Sequence, residues 1–173
     1  MSWGALLQPD LVLSGSILHL TPAMLEKHCL KGLILDVDET LVPFRSALAS
    51  AELLQWAEQI KPVASLCLLS NNLSESRIRG IAQSLQIPYI FGARKPSRRK
   101  LRQAVTTLGL PVEHIAMVGD RLFTDVLAGN RLGMFTILVE PMTLPNQTAR
   151  RYPIRTIEIW LSRALGASLS IGK

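Results

Sequence analysis

Gly32-Leu33-Ile34-Leu35-Asp36-Val37-Asp38-Glu39-Thr40-Leu41 joins an aliphatic run to two carboxylates spaced two residues apart. The run 32–37 is short, apolar and followed by polar turn-forming residues, the pattern of a buried strand. In extended chain, residues two apart project to the same side, so Asp36 and Asp38 can face one site just beyond that strand. Two neighbouring carboxylates repel each other unless a cation offsets their charge.

Moving outward, short apolar runs alternate with segments of helical period. The pattern predicts a helix over 47–60, a strand over 64–69, a helix over 74–85 with Ser74 as N-cap, and a short strand over 89–91 after Pro88. It continues with a helix over 97–108 closed by Gly109 and a strand over 114–118 that runs into Gly119-Asp120. A helix capped by Thr124 then stops near Gly133, and a fifth strand covers 134–139. Five strands separated by helices imply an α/β three-layer sandwich, a five-stranded parallel sheet with helices on both faces.

Sheets of this kind bind ligands beyond the carboxyl ends of their strands, where the strand order reverses. Asp36, Ser70 and Asp120 fall at three such ends, and Lys95 follows a fourth. Asp120 and Asp125, in Gly119-Asp-Arg-Leu-Phe-Thr-Asp125, can join the first carboxylate pair around a cation. Hard carboxylate oxygens without a His or Cys cluster favour Mg²⁺ over zinc. Each residue also has a plainer reading. Asp36 and Asp38 can cap a turn, Ser70 and Asn71 can be ordinary loop residues, and Asp125 can be a first-turn carboxylate favoured by a helix dipole. Thr40 reads as a turn-shaping residue, Trp56 as core, and His19, His28 and His114 as structural or solvent-exposed.

Taken together, Asp36-Val-Asp-Glu-Thr-Leu41, Ser70-Asn71-Asn72, Lys95-Pro96 and Gly119 to Asp125 resemble the four ordered motifs of the haloacid dehalogenase (HAD) superfamily of phosphatases. The last motif is similar to that of subfamily IIIA, which includes the YqeG and phosphatidylglycerophosphate phosphatase-like family. The resemblance implies a HAD-like Rossmannoid fold in which Asp36 is the nucleophile that takes the phosphoryl group. It implies Asp38 as general acid and base, and Ser70 with the amides after it, Asn71 included, as phosphoryl-binding groups. Lys95 would neutralise phosphoryl charge, and Mg²⁺ would be held by Asp36, the Asp38 carbonyl, Asp120 and Asp125, the last directly or through water. Glu39 departs from the Asn common at that position in related phosphatases, and it also occurs in phosphatases that act on phosphorylated protein tails.

Thr40 and Ser70 lie only 30 positions apart, and Ser70 and Lys95 only 25. One helix and one strand consume each interval, so the fold is expected to be capless, with a cleft open to bulky substrates or covered by a partner subunit. The 173 residues, 48% hydrophobic and 18% charged, suit a single domain with its core over about 31–140. An N-terminal segment, 1–30, is apolar around Pro9 and reads as core-covering or interfacial. A basic amphipathic helix over about 150–171 can lie on an anionic membrane or pack on the domain.

Mean hydropathy is +0.26, yet no apolar run is long enough to span a bilayer, and no secretory signal is evident. Cys29 and Cys67 lack metal-like spacing, and an apolar setting for Cys67 agrees with a reducing, cytoplasmic compartment, with peripheral attachment to the inner face of the membrane. The formal charge of +6 favours anionic partners, and the densest basic block, 94–102, holds six basic residues and no acidic one. Its position around Lys95 points to drawing in a phosphorylated substrate rather than coating nucleic acid. Phosphatidylglycerophosphate is the substrate the resemblance suggests. Nucleic-acid phosphate ends, phosphoprotein and a non-catalytic RNA-binding scaffold are the alternatives.

Overall fold

The computed structural model describes residues 3–44 and 46–142. Short N-terminal elements, helix α1 (Trp3–Leu6), strand β1 (Leu11–Val12) and helix α2 (Pro22–Lys27), precede the motif-bearing strand β2 (Gly32–Leu35). The alternation then runs through α3 (Ala51–Ile60), β3 (Ser65–Leu69), α4 (Glu75–Leu85), β4 (Tyr89–Ile90), α5 (Arg99–Leu108) and β5 (Ile115–Gly119). A π-helical turn, Leu122–Val126, leads into α6 (Leu127–Asn130), and β6 (Phe135–Leu138) follows.

All strand pairs are parallel, in the order β1-β6-β5-β2-β3-β4. The chain moves outward from β2 in one direction through β3 and β4, and in the other through β5 and β6. The order therefore reverses around β2, and the carboxyl end of β2 is the crevice where such sheets bind ligands. The sheet has six strands rather than five. The extra strand is Leu11–Val12, whose two residues are too few to carry a periodic signal but pair with Ile137 and Leu138 at the sheet edge.

Alternate residues of the central strands bury toward opposite faces, as the period of two requires. Leu33, Leu35, Leu66 and Leu68 pack with Leu53 and Trp56 of α3 and Ile78 and Ile81 of α4. Ile34, Cys67, Leu69 and Met117 pack with Leu101 and Ala104 of α5 and Ala128 of α6. Helices thus cover both faces. Burial pushes the Cys67 thiol up to about 12, which makes it an inert core group. Trp56 is core as expected, and its indole nitrogen donates to Leu20 O at 2.9 Å. The N-terminal segment covers the core through Leu7, Leu13, Ile17 and Leu20, while Trp3 stays 62% exposed.

Several local expectations shift. Helix α3 starts at Ala51, where Ser50 Oγ accepts from Leu53 N, rather than at residue 47. Ser74 holds the N-cap position of α4 without a side-chain cap, and its own N–H donates to Asn72 Oδ1 at 2.8 Å. Thr124 does not open a helix, since it lies inside the π turn with Arg121 at the cap. Gly109 ends α5 at φ 64, as expected. The intervals between Thr40, Ser70 and Lys95 hold α3, β3, α4 and β4, with no inserted domain among the described residues. The expected amphipathic helix over 150–171 lies outside the described residues.

Candidate active site

Loops after β2, β3, β4 and β5 converge on one cavity of about 270 Å³, lined by Asp36, Asp38, Asn71, Lys95, Arg121 and Asp125 among others. Asp36 follows β2 directly, and its N–H donates to Val118 O of β5 at 2.9 Å, which places its side chain where β2 and β5 end together. Lys95 is 6% exposed and lies between the carboxylates. Its Nζ donates to Asp36 Oδ1 at 2.5 Å and to Leu69 O at 3.0 Å, and it pairs with Asp125 Oδ1 at 2.8 Å. Thr40, fully buried, sets its hydroxyl 3.2 Å from both Asp36 Oδ2 and Asp120 Oδ1, so its single proton serves one carboxylate at a time.

Asp125 is aimed by backbone close packing. Its Oδ2 accepts from Arg121 N at 3.2 Å, and its side chain lies over Gly119, where no Cβ intervenes. That approach explains the π turn. An extra residue in the turn swings Asp125 back over the end of β5, into a position that a regular helix starting at Thr124 would miss.

Asp36, Asp120 and Asp125 each bring an oxygen within 4.8 Å of the others. Burial pushes the Asp36 carboxyl up to about 6; Lys95 pulls it down, and Asp125 and Asp38 add to the rise. Burial, then the charges of Asp36 and Asp125, hold Asp120 well above the usual carboxylate range. Lys95 keeps its proton despite burial because Asp125 and Asp36 face it. One ammonium against three buried carboxylates leaves a deficit of positive charge. An all-oxygen donor set with that deficit fits a hard divalent cation.

The structure brings together Asp36, Asp38, Asn71, Lys95 and Asp125 as lining, with Asp120 buried alongside them. Ser70 is completely buried beneath the loop, and its Oγ accepts from Asn72 N at 3.0 Å. The Asn71 side chain is occupied by the Lys95 main chain, accepting from its N at 2.7 Å and donating to its O at 3.3 Å. Asn71 is thus a clamp on Lys95.

Two participants escaped the sequence reading. Thr40 bridges Asp36 and Asp120, although its motif position was the signal available. Arg77, on α4, pairs with Asp38 Oδ1 at 2.8 Å, while its Nε donates to Ser46 O at 2.7 Å. Nothing in a helix-period stretch distinguishes Arg77 from a solvated arginine. The three histidines stand apart: His19 and His114 contact main-chain carbonyls, and the His28 ring lies tilted against Phe135, 4.8 Å between centroids.

A HAD-hydrolase-like family model matches residues 92–155. Over 127 residues the chain is 39% identical to "Probable phosphatase YqeG" of Bacillus subtilis, covering 73% of this chain and 74% of that protein. It is 39% identical over 72 residues to "Dihydroxyacetone phosphatase" of Corynebacterium glutamicum, covering 42% of this chain and 26% of that one. It is 29% identical over 151 residues to the chloroplastic "Phosphatidylglycerophosphate phosphatase 1" of Chlamydomonas reinhardtii, covering 77% of this chain and 53% of that protein. Among solved structures, an uncharacterized Listeria monocytogenes protein shares the fold at TM-score 0.53 and 19% identity, with 63% of this chain and 78% of that one covered.

Proposed function

From the premise that this chain belongs to the HAD superfamily, among its subfamily IIIA YqeG-like phosphatases, we propose a Mg²⁺-dependent phosphomonoesterase that works through Asp36 and takes phosphatidylglycerophosphate as substrate. The enzyme class, a phosphoric monoester hydrolase, follows from the family. The observation that carries the mechanism is the buried contact of Asp36 with Lys95, ringed by Asp120 and Asp125.

Asp36 is held as an anion by its ion pair with the Lys95 ammonium. One of its oxygens attacks phosphorus, forming the O–P bond of an aspartyl-phosphate as the ester P–O bond breaks. Asp38 gives its proton to the departing alkoxide, then takes one from a water whose oxygen attacks phosphorus and frees Asp36 with inorganic phosphate. Lys95 lies against both Asp36 and Asp125, where it meets charge developing on the phosphoryl oxygens. With its side chain held by Lys95, Asn71 offers the substrate its main-chain amide. Mg²⁺ would be held by Asp36, the Asp38 carbonyl and Asp120, and supplies positive charge to the phosphoryl oxygens. Both Asp125 oxygens are already engaged, by Lys95 and Arg121 N, which favours contact through water.

The lipid substrate is supported by the chloroplastic relative, of whose length the chain spans 53%, and by a cleft without an inserted domain. The test offers purified protein phosphatidylglycerophosphate in detergent micelles, dihydroxyacetone phosphate, a 5′-phosphorylated oligonucleotide and a phosphopeptide, with and without Mg²⁺. Phosphate released from the lipid by wild type, and lost with Asp36→Asn or Mg²⁺ chelation, is the expected result. Turnover of another substrate with none of the lipid overturns the lipid assignment. Full activity in Asp36→Asn overturns the mechanism.

A further inference from the structure

Two leucines on turns next to cavity-lining segments face solvent: Leu48 is 80% exposed and Leu73, which follows the lining residue Asn72, is 72% exposed. Each is presented by a built turn. Ser46 Oγ donates to Leu48 O at 3.2 Å and accepts from Leu48 N at 3.5 Å. Asn72 Oδ1 accepts from Ser74 N at 2.8 Å, which arches the backbone so that Leu73 stands at the crest.

Both turns are wired to the catalytic machinery. Ser46 O receives Arg77 Nε, and Arg77 also holds Asp38. Asn72 lines the cavity, and its main-chain O accepts from Gly92 N at 2.8 Å, tying the Leu73 turn to the loop that carries Arg94 and Lys95. A methyl placed on Gly92 would stand 3.2 Å from the Leu73 side chain, so leucine and basic loop are adjacent. Arg94 and Arg99 of that loop are exposed and Arg98 is half-exposed; the first turn of α5 contains no acidic residue. Arg98 gives one guanidinium nitrogen to Arg131 O at 2.8 Å, and cations at the positive end of a helix gain nothing from its dipole, so the charge of this cluster is open to an anion outside the chain.

We propose that this surface, Leu48 and Leu73 with Arg94, Arg98 and Arg99, docks on an anionic lipid bilayer. Separate leucines held on turns gain free energy by entering hydrocarbon and gain none from a phosphate backbone, while the flanking arginines meet lipid phosphates at headgroup depth. This geometry sets the cavity mouth against the membrane. The delivery of a lipid phosphate into the cavity rests on the lipid reading above, whereas the docking itself does not.

The experiment sediments the full chain with vesicles of equal parts phosphatidylcholine and phosphatidylglycerol, or of phosphatidylcholine alone. Wild type is expected to bind the anionic vesicles and to release with salt. The double variant Leu48→Ser/Leu73→Ser is expected to lower partitioning by about tenfold or more, with hydrolysis of a water-soluble aryl phosphate unchanged. Replacing Arg94, Arg98 and Arg99 by Gln is expected to cost about fivefold each. Absence of wild-type binding to anionic vesicles, or leucine variants that bind as wild type does, overturns the proposal. So does tighter, leucine-independent binding of an oligonucleotide. Leucine-dependent vesicle binding without phosphatidylglycerophosphate hydrolysis upholds the docking and removes the lipid substrate. Hydrolysis in detergent micelles without vesicle binding does the reverse.

Discussion

Replacing Gly119 by alanine inserts a methyl into the tightest contact of the site. A Cβ there would stand 2.5 Å from Asp125 Cβ and nearer still to its carboxyl carbon and Oδ2, against an ordinary contact of 3.4 Å or more. Neither side yields easily, because Gly119 is the buried end of a central strand and Asp125 is tied to the Arg121 main chain and to Lys95. Relief therefore requires Asp125 to retreat by about 1 Å, a displacement on the scale that costs about 100-fold in rate. The overpacking itself costs about 1–3 kcal/mol, which lowers Tm by several degrees without unfolding the domain. The assay is kcat/KM for a soluble aryl phosphate across a Mg²⁺ titration, with thermal melts alongside. Activity is expected to fall about 100-fold with the Mg²⁺ midpoint shifted upward. Gly80→Ala is the control: a Cβ there meets nothing within 4 Å on exposed α4, and should raise stability by about 0.5–1 kcal/mol with activity intact. A Gly119→Ala enzyme with wild-type rate and Mg²⁺ midpoint would refute the placement of Asp125 in the reaction.

The other expectations concern charge and proton donation. Asp36 rises from 3.8 to about 6 on folding, so metal-free protein is disfavoured once the group ionises. The contribution of this group is full below pH 3.8 and is lost as pH rises through about 6, a downward slope that urea melts of the metal-free protein should show. Saturating Mg²⁺ should flatten it and Asp36→Asn should make it shallower, with Asp120 carrying what remains, and an unchanged slope in the variant refutes the assignment. Arg77→Met frees Asp38 from its orienting partner, and Arg77 acts as a positioning residue. Alkyl phosphates, whose leaving group needs a proton, should slow by about tenfold or more while aryl phosphates hardly change; equal losses on both would mark a merely structural role. Thr40→Val removes the hydroxyl between Asp36 and Asp120 at nearly constant shape. It should cost about 1–3 kcal/mol in stability of the metal-free protein, measured by thermal melts, and a neutral result would show that the bridge is dispensable.

Much of this site could be read in advance because parallel sheets put the ends of their strands together. Once 32–37, 64–69 and 114–118 were parallel strands of one sheet, Asp36, Ser70 and Asp120 had to lie along the same edge, and apolar runs are strong signals. What stayed hidden depends on tertiary contact. Arg77 finds Asp38 across 39 residues, and Asn71 finds Lys95 across 24, with no local pattern to announce either. The start of the last helix was misplaced for a related reason. Local propensity favours Thr124 as a cap, but placing Asp125 over Gly119 outweighs it and imposes the π turn. Ser74 sits at the expected N-cap position, but its hydroxyl makes no cap, and the local side-chain bond there is the turn that Asn72 Oδ1 closes on Ser74 N.

The small strand at the sheet edge bears on how the chain comes together over time. Asp10 accepts from both the main-chain N–H and the hydroxyl of Thr136, and Leu11–Val12 lies along β6, so the first strand to be made is joined to the last among the described residues. During synthesis that early segment must wait, unpaired, until residue 138 has emerged, and closure is the slow, non-local step of folding. Until then β6 is an open edge carrying Ile137 and Leu138, a template for pairing with another chain. A truncated protein lacking residues 3–12 should therefore self-associate through β6, which makes a two-residue strand the guard of that edge.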